Sequence, residues 1–257
     1  MNKLTIKNKN YTSLNTLEEW KKGFIEVDEE RHWEEGRSAE RLANDFSKGN
    51  PSSGEKSLRQ MLSLFLNSDD IVWKEAYIEH GSVFDSYSRP RMQDLAIWAE
   101  VNGKTIFIGV EAKVDEPFGS KSVAQQKKYV EGLIADGVST EAHNRLKELC
   151  SDFIPTINPK DYRKIRYQLL YYLAGSFREN AEIVFMPVFA YVSDKYDPKK
   201  GEKNYKDYVK FMELLGFEKV SGDVPGMKSA YKKTITALNK ERTSNLTKTV
   251  YSIYFSK

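Results

Sequence analysis

Asp94 stands at the head of the run DLAIWAEVNGKTIFIGVEAK, and Glu111 and Lys113 stand at its foot. Two carboxylates and an ammonium brought to one point are the groups that hold a divalent cation and polarise a phosphodiester, so the spacing between them matters. Asn102-Gly103 is the pair most favoured in a two-residue hairpin turn. With that turn, Val101 pairs with Lys104 and Asp94 falls across from Glu111, with Lys113 on the same face. The second arm, TIFIGVEAK, is apolar on both alternations up to Glu111, which predicts a central strand covered on both sides. Charges at the end of such a strand need partners, and Gly109 leaves room beside them. Acids and bases also oppose one another on solvated sheet faces, where the pair adds little stability. Residue chemistry alone leaves the metal site and the plain ion pair both open.

Several elements must position this hairpin. TLEEWKKGFIEVDEERHWEEG predicts a helix from Thr16 followed by a second helix or an acidic connector. From Ser38, the residues Ala39, Leu42, Ala43 and Phe46 take one face of a helix that Gly49 and Pro51 end. A helix through LRQMLSLFLN follows, then a mixed-period segment with a strand near Val72 to Ile78. Arg89 and Arg91 flank Pro90 just before Asp94, and guanidinium groups there would bind a phosphate or pair with a local acid. After a VDEPFGSKS loop, Ser120 or Ser122 caps a helix whose stripe is Val123, Gln126, Val130 and Leu133. A helix over 139–153 comes next. Pro159 then opens a long helix, DYRKIRYQLLYYLAGSF, whose Arg166 and Gln168 point to buried interactions with the sheet rather than to substrate. AEIVFMPVFAYV reads as a strand with Pro187 at a bulge or an edge. NYKDYVKFMELLG reads as a helix and TVYSIYF as a strand.

Asp94 followed by Glu111-Ala112-Lys113 resembles the D…(D/E)xK signature of the PD-(D/E)xK nuclease superfamily, with Gln93 where the fuller pattern has proline. The segments HWEEGRSAERLANDF, SRPRMQDLAIWA, GVEAKVDEPFG and IRYQLLYYLAG, spread over residues 32 to 175, also resemble a family of uncharacterised bacterial proteins related to those nucleases. The resemblance implies an α/β fold with a restriction-endonuclease-like core, a mixed central sheet flanked by helices. It implies Mg2+, with Mn2+ as a substitute, held by Asp94 and Glu111, and Lys113 positioning the attacking water. It further suggests an acid from the first helix, Glu40 or else Glu35, and a glutamine after the ExK strand, Gln125 or Gln126. Arg89 and Arg91 become phosphate-binding candidates. The activity implied is hydrolysis of DNA, and a cut across both strands by one such site implies a homodimer. The alternative is a nuclease-fold protein without catalysis that binds nucleic acid or a protein partner, since such superfamilies contain members that have lost activity.

At 257 residues with 40% hydrophobic content, the chain reads as one nuclease-like domain over 1–257, with a helical region near 14–67 packed on its core. No apolar run approaches the roughly 20 residues of a membrane span, and no secretory signal is visible, so the expectation is a cytoplasmic protein. The lone Cys150 reads as a core residue of a helix, and three scattered histidines make no zinc pattern. Net charge is only +3, yet residues 195 to 257 carry 14 Lys and Arg against 7 Asp and Glu. That excess suits a phosphate-facing surface or a lysine-rich solvated one.

Overall fold

The computed structural model of the chain describes residues 2–26, 33–49, 51–87 and 90–257. Among them, seven strands form one mixed sheet in the order β1-β2-β3-β4-β7-β6-β5. These are β1 (Ile71–Ser82), β2 (Arg91–Val101), β3 (Lys104–Lys113), β4 (Ile183–Ala190), β5 (Glu218–Val220), β6 (Met227–Leu238) and β7 (Asn245–Ser256). The centre is parallel, β3 on β4 and β4 on β7, and antiparallel pairs extend it on both sides. The fold is therefore α/β with a mixed central sheet flanked by helices, as the sequence pattern led us to expect.

Period 2 assigns the two faces. Leu95, Ile97, Ile106, Ile108 and Val110 pack with α1 (Leu17–Ile25), α2 (Ser38–Ser47) and α3 (Ser53–Leu66). Ala96, Phe107, Val184, Met186 and Val188 pack on the other side with α5 (Ala142–Phe153), α6 (Tyr167–Arg178), α7 (Pro198–Leu214) and the first residue of α4 (Val123–Ala135). Helix α1 starts at Thr16 through a reciprocal cap with Glu19, and α4 starts at Ser122 through the same device with Gln125. The N-terminal segment covers the outer edge of β1, where Lys7 takes both Ala76 and Ile78 as backbone partners. No helix among the described residues is long and apolar enough to cross a membrane.

Two expectations are corrected. Pro187 lies at neither a bulge nor an edge but in β4, between β3 and β7. The β3–β4 ladder skips from Phe185 to Val188, and the Tyr172 hydroxyl donates to the Gly109 carbonyl at 2.5 Å, supplying a donor that proline lacks. The long helix expected from Pro159 is interrupted. A 3₁₀ turn over Pro159–Lys164 ends at extended Ile165 and Arg166, and α6 begins at Tyr167. The break is fixed by backbone bonds to the segment before α4: Val123 N–H to Ile165 O at 2.8 Å and Tyr167 N–H to Lys121 O at 3.1 Å. That interruption decides where Gln168 points.

Candidate functional site

The hairpin is in the register that Asn102-Gly103 implies. Both turn residues have positive φ, 51° and 74°, and the ladder runs from Val101 opposite Lys104 to Leu95 opposite Val110. One residue further, where Asp94 would meet Glu111, the strands part. Asp94 Oδ2 instead accepts the Ala112 N–H at 2.7 Å, so a side chain replaces the missing strand partner. Beyond this point β3 pairs with β4 alone, Glu111 beside Val188 and Lys113 beside Ala190. On the other side of β2, Ile78 pairs with Leu95 and His80 with Gln93, which leaves Glu79, at a positive φ of 46°, across from Asp94.

Glu111 is 1% exposed, and both of its oxygens are engaged. Oε1 accepts from Lys113 Nζ at 2.8 Å and from Gln168 Nε2 at 2.8 Å, and Oε2 is bonded to the Arg91 guanidinium. Arg91 lies under the rings of Tyr171 and Tyr172, at 5.4 and 5.6 Å, and Lys113 over Phe118 at 5.7 Å. The approach of Arg91 to α6 requires Gly175, where a Cβ would meet Arg91 Cβ at 3.0 Å. Gly109 provides similar clearance for Ser176 and Gln93. Breaking a buried pair of this kind by removing one partner costs about 3–5 kcal/mol, because the remaining charge keeps its desolvation penalty.

The two carboxyls differ in proton affinity. Burial raises Asp94, and the nearby Glu111 charge raises it further, against the pull of Lys113 and Arg91, so it is pushed up to about 7. Burial also works against the Glu111 anion, but Arg91 and Lys113 outweigh it and hold this carboxyl below its usual range. Burial disfavours the charged Lys113, and Glu111 with Asp94 more than compensates, keeping the ammonium charged above its usual range. At neutral pH the centre thus holds one firmly ionised acid under two cations and a second acid near its midpoint.

A cavity of about 190 Å³ opens on this centre. Asp94, Glu111, Lys113 and Gln168 form its polar end, and Trp20, Phe24, Trp33 and Leu42 its apolar end. The structure thus brings together Asp94, Glu111 and Lys113, with Arg91 bonded behind them. It does not bring Glu40 or Gln125 to that cavity. Glu40 accepts from Gly36 N–H and Asn44 and lines a neighbouring cleft with Arg41 and Lys257. Glu35, exposed in the turn before α2, does not line the cavity either. Gln125 is spent on the Ser122 cap at 2.9 Å, and Gln126 sits beside it on the same helix. Arg89 falls outside the described residues. Asp115 latches the loop after β3 by bonding Arg37 at 2.6 Å and the Asp197 N–H at 3.0 Å.

Gln168 and Glu79 line this cavity although sequence reading did not connect them to the centre. Gln168 was expected to contact the sheet and does, through Glu111 itself. Glu79 lay in a segment of mixed period whose register became definite only with β2 in place. Among the described residues, no group of three or more His, Cys, Asp or Glu side chains is gathered as a set able to hold a metal ion.

A family model described as Domain of unknown function (DUF6946) matches residues 13–242. Neither the curated proteins nor the solved structures gave a significant match.

Proposed function

The chain belongs to the DUF6946 family, and we propose that it is a nucleic-acid-binding module on a nuclease-like scaffold, with a PD-(D/E)xK-type centre that does not hydrolyse. The observation that carries this reading is the closure of Glu111 by Arg91, Lys113 and Gln168. A carboxylate in that state is already neutralised. A further cation at about 4 Å from Arg91 or Lys113 meets a repulsion of roughly 4 kcal/mol per unit charge at the effective dielectric of such sites.

Nucleic acid is favoured over a protein partner by the face of α7. Lys199, Lys203, Lys206 and Lys210 are exposed at i, i+4, i+7 and i+11, one stripe of about 17 Å, or roughly five nucleotides at the spacing of one strand. Lys206 and Lys210 make only loose ion pairs, at 3.6 Å, with Glu202 and Glu213. The 3₁₀ turn packed on α7 adds exposed Lys160, Arg163 and Lys164. Arg166, bonded to Asp207 at 2.7 Å, joins this surface to the start of α6, two residues from Gln168.

The second reading is Mg2+-dependent DNA hydrolysis, favoured by the convergence of Asp94, Glu111 and Lys113 on one cavity. Asp94 and Glu111 would hold the ion, which would polarise the phosphodiester, once Arg91 moved off Glu111. Lys113 would keep its place beside the reacting phosphate.

Fluorescence anisotropy with labelled single- and double-stranded DNA, in Mg2+ and in EDTA, distinguishes the two. Binding unaffected by EDTA, without cleavage, and weakened in a Lys199→Glu/Lys203→Glu variant is the expected result. Metal-dependent cleavage lost in Lys113→Ala would establish the second reading instead. Absence of any binding or cleavage would overturn both.

A further inference from the structure

The cavity beside the centre has more in it than an ionic site needs. Trp20 and Phe24 are 2% and 6% exposed and fix one wall, and Trp33 meets Phe24 edge to face with centroids 5.5 Å apart. The Trp20 indole N–H is buried and has no acceptor among the described residues, although its side chain lines the cavity. Buried polar groups are almost always paired, so this donor is one that a ligand acceptor would satisfy. An apolar cavity of about 150 Å³ takes a benzene ring, and the space here is about 190 Å³.

We propose that this cavity holds a single unstacked nucleobase, with its ring against Phe24 and Trp33, its edge toward Trp20 and Gln168, and its phosphate toward Lys113. The proposal rests on the nucleic-acid reading above and adds a substrate class to it: single-stranded or locally opened strands rather than intact duplex. A flat heteroaromatic ring is the ligand that uses both ends of the cavity. Its face suits the aromatic wall, as in other single-strand sites where stacking is largely independent of sequence. Its edge offers the acceptor that the Trp20 N–H lacks. The Asp94 carboxyl, which also lines the space, is an acceptor for a base N–H. Arg91 and Lys113, both paired with Glu111, lower the repulsion that an acidic wall would otherwise exert on a phosphate.

The test compares a fluorescein-labelled oligothymidylate with the same oligonucleotide made abasic at every position, so that the phosphate backbone is kept and the bases are removed. Wild type is expected to bind the abasic strand about tenfold more weakly or worse. Trp33→Ala, at a half-buried position, and Ala39→Phe, which fills the cavity from α2, are expected to reduce binding of the normal strand by a similar factor while leaving the abasic strand unchanged. Equal affinity for the two strands in wild type overturns the base pocket and leaves the nucleic-acid reading intact. Free thymidine or adenosine quenching the tryptophan fluorescence, in a protein that binds no oligonucleotide, would keep the pocket and remove the nucleic-acid reading. Absence of all three binding signals overturns both.

Discussion

Helix α6 carries a buried cation cluster at each end, and the two differ in what the cations hold. At its last residue, Arg178 donates to the carbonyls of Phe84 and Leu238 and pairs with Asp152, which also takes two bonds from Arg242. All of this guanidinium's reach goes into fixing the segment after β1, the end of β6 and the end of α5. About 15 Å away by helix rise, near Gln168, Arg91 spends its charge on Glu111, and its Nε has no partner among the described residues. Burial leaves Arg178 below its ordinary proton affinity despite Asp152, whereas Glu111 and Asp94 keep Arg91 above it. One cluster fastens backbone, and the other concentrates charge beside a cavity. The same chemistry is structural where its acceptors are carbonyls of the fold and poised for a ligand where they are not.

The comparison breaks most readily at Glu111. Glu111→Gln removes the one acid bonded to both Arg91 and Lys113 and leaves the two buried cations only Asp94 as a counter-charge, and urea denaturation should show a loss of about 3 kcal/mol. Adding Arg91→Met should recover more than half, since an apolar replacement of a buried pair is often neutral. No recovery would mean that Arg91 holds backbone as Arg178 does. At the other end, Asp152→Asn should cost less, about 2 kcal/mol, because Arg178 keeps two carbonyl acceptors and Arg242 reaches solvent. Oligonucleotide affinity should be unchanged in Asp152→Asn, and a fall in it would end the distinction between the two clusters.

The local parts of this arrangement were legible in the sequence. Asn102-Gly103 fixes the hairpin register from two residues, and period 2 then places Asp94, Glu111 and Lys113 together. Ser122 and Thr16 likewise announce their helices by short-range caps. The illegible parts are nonlocal. Gln168 joins the centre only because Ile165 and Arg166 pair with the segment before α4, a contact across more than forty positions that no helical period reveals. Pro187 entered a central strand because Tyr172, on another element, supplies a donor at that point. Strand β6 escapes a period-2 reading because Lys232 and Lys233 interrupt its apolar alternation, while the aliphatic stems of such residues still cover a sheet. For Glu40 and Gln125, the resemblance supplied a role but not a position. Their side chains are taken up by Asn44 and by the Ser122 cap.

Asp94 sharpens the contrast by pH. Its carboxyl rises from an ordinary 3.8 to about 7 in the folded chain, so the folded state binds this proton more tightly than the unfolded one. The sign follows from linkage: the contribution is most favourable below pH 4, is lost as pH rises toward 7, and leaves a net cost above that. Because the side chain is half-buried, solvent screening reduces this cost to about 1–2 kcal/mol. Asn at position 94 can still accept the Ala112 N–H and carries no charge. Asp94→Asn should therefore unfold at higher urea than wild type at pH 8 and at the same urea as wild type at pH 4, in EDTA throughout. Glu111, held below its usual range, moves the opposite way in wild type, stabilising above pH 5 and losing that contribution as acid protonates it. A pH-independent difference between Asp94→Asn and wild type would mean that Asp94 is an ordinary ionised acid, and that the centre differs from the Arg178 cluster only in its partners.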